Sequence, residues 1–135
     1  RDDMICRAIA DEDERIRRAG LLAAQTQGCP DTAVPVLAQS LVSEASNGIA
    51  ELMVKVLAPV HSPLVLRAFA SMVVSPKRRW FRKVPASVSP AMLAALTVLA
   101  TSWREEPEGA AALAIVKRSE DTAVQRILSR GGAPA

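Results

Sequence analysis

Tyrosine is absent from this chain of 135 residues, and Phe and Trp occur only twice each. A core must therefore be filled by Leu, Val, Ile, Ala and Met, which suffices because half of the residues are apolar. Histidine occurs once, as His61, and cysteine twice, as Cys6 and Cys29. Two such distant cysteines make neither a disulfide framework nor a zinc site, and they read as small apolar residues. His61, beside Ser62 and Pro63, reads as a capping or partly exposed residue at a helix junction. No apolar run reaches the ~18–20 residues needed to cross a bilayer. No signal peptide is visible. No Gly-rich phosphate loop, CxxC or HExxH motif is present. These absences leave no catalytic, cofactor-binding or metal-binding residue to nominate. The expectation is a non-enzyme without a cofactor, cytoplasmic by default. The chain starts at Arg1 rather than Met, so it is expected to be a segment of a longer protein.

Charge of one sign is scarce in each half. Residues 1–60 hold nine acids and six bases, whereas residues 61–135 hold eleven bases and five acids. Such polarity can orient a charged partner. The acidic run Asp11-Glu12-Asp13-Glu14 suggests metal or acid/base chemistry. It is better explained as anionic residues meeting the positive end of a helix dipole. Glu105, Glu106 and Glu108 repeat that placement.

What the chain has in quantity is helical periodicity. Ile49, Leu52, Met53, Val56, Leu57 and Val60 follow the spacing of one buried helix face. Val65, Ala68, Phe69, Met72 and Val73 repeat it, as do Met92, Ala95, Leu96, Leu99, Ala100 and Trp103. Shorter stripes run through Ile16, Ala19 and Ala23; Ala33, Val36, Leu37 and Leu41; Ala112, Ile115 and Val116; and Val124, Ile127 and Leu128. Strand signals are weak, because no long stretch alternates strictly. Start signals separate the stripes: Asp31 or Thr32 with Pro35 in the first turn, Ser46 or Asn47, Ser62-Pro63, Ser89-Pro90, Glu106-Pro107, and Ser119-Glu120-Asp121. Seven or eight helices with short connections imply antiparallel neighbours. Comparable starts fall at Asp13, Asn47, Ser89 and Asp121, which are 34, 42 and 32 residues apart. Two helices per interval of that size mark a helical repeat array. The longest interval is attributed to an insertion near residues 76–88.

The segment Asp13-Glu14-Arg15-Ile16-Arg17-Arg18-Ala19 resembles the first-helix pattern of bacterial HEAT-like repeats. Asp31-Thr32-Ala33-Val34-Pro35-Val36-Leu37 resembles their second-helix start. The resemblance is best over residues 11–43. It implies that Asp13 caps its helix and that Arg17 bonds across neighbouring repeats. It also implies a scaffold class that binds proteins and, in some branches, nucleic acids. The fold expected is therefore all-α: a right-handed α-solenoid of antiparallel hairpins, about three units plus partial terminal units. Residues 1–130 would form one domain and residues 131–135 a flexible tail. Residues 2–9 and 121–129 would belong to incomplete units, so self-association through an open end is expected.

One segment breaks the pattern. Lys77-Arg78-Arg79-Trp80-Phe81-Arg82-Lys83 packs five cations and two aromatics between Pro76 and Pro85, and is expected to be a loop or short helical turn. Arginine grips phosphate bidentately, and Trp80 and Phe81 could stack on bases. An anionic membrane surface or an acidic protein would also suit it. Alternatively, Trp80 and Phe81 fold back to plug a groove while the cations stay solvated. The expected function is a protein-interaction scaffold presenting a curved helical surface. The alternative is a polyanion-binding module that uses residues 77–83.

Overall fold

The structure is a computed structural model of the full chain, and it describes residues 2–44, 46–79 and 82–132. Among these residues are eight α-helices, one 3₁₀ turn and two strands. In order they are α1 (Asp2–Ile9), α2 (Glu14–Gln27), the 3₁₀ turn (Asp31–Ala33), α3 (Val34–Ser43), α4 (Asn47–Leu57), α5 (Pro63–Val73), β1 (Val74–Arg79), β2 (Arg82–Pro85), α6 (Pro90–Ser102), α7 (Pro107–Val116) and α8 (Thr122–Gly132). The chain is thus mainly helical, as its periodicity predicts. It divides into two compact units, residues 1–68 and 69–135.

Most helices begin where a side chain can take up their free N–H groups. Asp13 accepts from Arg15 N, Ser46 from Ile49 N, Ser89 from Met92 N, and Asp121 from Ala123 N and Val124 N. Ser62 accepts from Leu64 N just before Pro63. The start of α3 differs from expectation. Neither Asp31 nor Thr32 caps it; both lie inside the 3₁₀ turn, and Ala33 precedes α3 without a side-chain hydrogen bond. Pro35 still falls within its first turn, where a missing N–H costs little.

In the first unit α1 lies against α2, and α4 packs against both α2 and α3. Leu21, Leu37, Ile49, Met53 and Leu57 are fully buried. A Cβ on Gly20 would stand 2.7 Å from Ala8 Cβ, so the missing side chain is what lets α1 and α2 approach. The buried face of α2 is Gly20, Leu21 and Ala24, not the expected Ile16, Ala19 and Ala23. Ile16 is 42% exposed. The reason is Arg17. Its guanidinium binds the Glu44 carboxylate through two hydrogen bonds of 3.1 and 3.3 Å, and donates to the carbonyls of Asp11 and Glu12. Glu44 also accepts from Ser46 N. A cation therefore occupies the turn of α2 that apolar counting assigns to Ile16.

In the second unit α6 packs against α7 and α8. Met92, Ala95, Leu96, Leu99, Ala100 and Trp103 are buried along α6, and Val116 and Val124 meet that core from α7 and α8. Phe69 and Val73 of α5 are fully buried as well. The start of α7 lies so close to the end of α6 that a Cβ on Gly109 would stand 2.0 Å from the Trp103 carbonyl oxygen.

Candidate functional site

The segment expected as a loop is a two-stranded antiparallel ribbon. Lys77, Arg78 and Arg79 lie in β1, and Arg82 and Lys83 in β2. Trp80 and Phe81, between the strands, lie outside the described residues, as do Ala133, Pro134 and Ala135 of the expected tail. Val74 pairs with Pro85, Arg78 with Lys83, and Arg79 with Arg82. The register slips between Val74 and Arg78, where β1 spends more residues than β2. Pro76 sits in that irregularity, where a residue without an N–H does least harm to a ladder. Valines at both ends favour extended backbone. Dense charge conceals this in the sequence, because five cations in seven positions leave no apolar alternation to read.

The ribbon is fixed at its base. Ala86 N donates to the Val73 carbonyl at 2.8 Å, which closes the far end of β2 onto the end of α5. Val84, Pro85 and Ala86 are half-buried, whereas Arg82 and Lys83 are exposed. Both strands lie against α7. The Arg118 guanidinium, just past α7, donates to the Lys83 carbonyl at 3.2 Å. Pattern reasoning missed Arg118, whose partner stands 35 residues earlier.

The electrostatics of the ribbon are one-sided. At two successive paired positions a cation opposes a cation. Like charges directly opposite destabilise a pair of strands. A bound polyanion would remove that repulsion and add attraction. The whole second unit leans the same way, with ten bases against five acids.

The other residues weighed for chemistry are scattered. His61 is exposed at the start of α5. Asp13 is held below the usual carboxylate range, chiefly by its side-chain hydrogen bond from Arg15 and then by the Arg15 backbone N–H. That is the signature of a cap. Cys6 and Cys29 are both half-buried free thiols, and Cys6 Sγ lies 3.5 Å from Thr32 Oγ1. Burial, reinforced by nearby Cys6 and Asp31, pushes the Cys29 thiol up. Among the described residues no group of three or more His, Cys, Asp or Glu is arranged to hold a metal, and no helix is long and apolar enough to cross a membrane.

On the same unit as the ribbon, a solvent-open groove of about 220 Å³ runs between α6, α7 and α8. Ala100, Ala110, Leu113, Ala114 and Leu128 form its walls, and Arg104 and Lys117 stand among them. Comparison of the chain with protein-family models, with curated proteins and with solved structures returns no match.

Proposed function

We propose that the chain is a helical-repeat binding module that takes a nucleic-acid backbone on the β1–β2 ribbon, through Lys77, Arg78, Arg79, Arg82 and Lys83. The observation that carries this is the register, which sets Arg78 against Lys83 and Arg79 against Arg82. A ribbon that opposes like charges in this way gains most when phosphates lie along it. Arginines suit this because their forked donors match phosphate geometry. Trp80 and Phe81, which join the two strands, would add stacking. A HEAT-like arrangement is part of the same proposal. Within each unit, helices two apart in sequence pack together, α2 with α4 and α6 with α8. Asp13 caps α2, and Arg17 ties the approach to α2 to the end of α3.

The test is fluorescence anisotropy with a labelled single-stranded oligonucleotide and its duplex at several salt concentrations. Log affinity should fall linearly with log salt, by roughly 0.7 to 0.9 per phosphate contacted. The Arg82→Ala/Lys83→Ala pair should lower that slope by about two contacts' worth. Absence of binding at low salt, or affinity indifferent to salt, would overturn the proposal.

A second reading, a scaffold for another protein, is favoured by exposed apolar side chains on the first unit. Met4 is 74% exposed and Val42 59%. Its discriminating result is a complex that survives high salt and is weakened by Met4→Ser and Val42→Ser but not by the ribbon pair.

A further inference from the structure

The groove between α6, α7 and α8 is open to solvent, at about 220 Å³. Pockets for drug-sized ligands start at about 300 Å³, so this one suits a fragment of a larger ligand. Its walls are aliphatic. Ala100 is buried, Leu113 and Leu128 are half-buried, and Ala110 and Ala114 are exposed, so small side chains leave the space between the helices unfilled. Among the described residues no acid lines it; the charged side chains there are those of Arg104 and Lys117, both exposed. An apolar slot with two cations at its rim matches a ring whose faces are apolar and whose attached groups are anionic.

Lys117 connects this slot to the ribbon. The next residue, Arg118, donates to the Lys83 carbonyl, so the end of α7 is tied to β2. A strand held by Arg82 and Lys83 therefore has, through Arg118, a groove cation one residue away along the chain. A nucleotide is the unit whose base fills such a slot while its phosphates meet the flanking cations. A paired base must first leave its stack, at a cost of a few kcal/mol, whereas an unpaired base is already free.

Resting on the ribbon reading, we infer that the groove receives one unpaired base of a bound strand, with Arg104 and Lys117 on the adjoining phosphates. The module therefore selects single-stranded nucleic acid over duplex.

The experiment compares three labelled probes of equal length and charge per strand on the full chain: a single-stranded oligodeoxynucleotide, an abasic deoxyribose-phosphate strand, and the duplex. The wild-type chain should prefer the base-bearing single strand to the abasic one by at least about fivefold, what taking roughly 40 Å² of base surface out of water contributes. Ala114→Leu places a good helix former at an exposed position and fills the groove. It should cut that preference to what Trp80 and Phe81 contribute, leave the salt slope unchanged and keep the helical circular dichroism. Lys117→Gln should keep the preference and lower the slope by about one contact's worth. Equal affinity for the base-bearing and abasic strands would overturn the inference, and the stacking assigned to Trp80 and Phe81 with it, while the ribbon's phosphate contacts stand. So would a preference undiminished in Ala114→Leu. If none of the three probes binds at low salt, the ribbon proposal itself fails and takes this one with it.

Discussion

Replacing Gly109 by Ala sets two well-characterised effects against each other. In an ordinary helix position the change would add about 1 kcal/mol, because Ala is the better helix former. Here the added Cβ would stand 2.0 Å from the Trp103 carbonyl oxygen and 2.9 Å from its carbon. Both obstacles are backbone, so no side-chain rotation relieves them. The first turn of α7 must move away from the end of α6, where Trp103 is 4% exposed. Overpacking of this kind costs about 3 kcal/mol at the upper end of its usual range. The net expectation is a loss of about 2 kcal/mol after the propensity gain is offset. For a chain of this size that is a fall in melting temperature of roughly 8 °C. The assay is urea unfolding followed by circular dichroism and Trp fluorescence, with an unchanged m value if compactness is preserved. Gly48→Ala is the control. There the neighbour within 4 Å, among the described residues, is Arg18 Nη2 at 3.3 Å, the end of a flexible side chain. It should be neutral or gain up to about 1 kcal/mol. A Gly109→Ala chain as stable as the wild type would refute the close approach of α6 and α7.

Arg17→Ala should cost about 2–3 kcal/mol, somewhat less than the full penalty of breaking a buried ion pair, because Arg17 keeps 19% of its side chain in solvent and Glu44 8%. Arg17→Lys should recover only part of that, since an ammonium cannot reproduce the forked contact with Glu44; full recovery in chemical denaturation would show that charge alone matters. Cys29 should alkylate slowly in the folded chain, because burial holds its thiol up and leaves little thiolate. The unfolded chain releases that proton first, so the stability Cys29 contributes is intact below the ordinary thiol value of 9.0 and is lost as pH rises above it. Mass spectrometry of iodoacetamide labelling between pH 7 and pH 10 reads the reactivity, and labelling at the rate of a free cysteine peptide would contradict it.

Helix positions were legible from the sequence because the signals are local. Ser46, Ser62 and Ser89 stand within three residues of the N–H groups they accept from, and the stripes of α4, α5 and α6 are continuous. The face of α2 was not legible. It depends on Glu44, 27 residues away, which holds Arg17 on a side that apolar counting leaves to Ile16. The residues of the candidate site were legible as an anomaly of composition, but their ribbon was not. Its pairing appears only when Arg78 meets Lys83, and nothing in a run of cations announces a strand. The groove was hidden for a different reason. Periodicity marks what is buried, whereas this space exists because Ala110 and Ala114 are too small to fill it.

The ribbon has one more property. Among the described residues β1 and β2 pair only with each other, so each strand keeps a flank whose backbone groups are not engaged by a third strand. Bare flanks of this kind recruit further strands and seed aggregates, and clustered charge is the usual guard against it. Five cations in seven positions are a guard of that kind. A partner that neutralised those cations would also withdraw the guard, so binding at the ribbon would expose its flanks to pairing between copies.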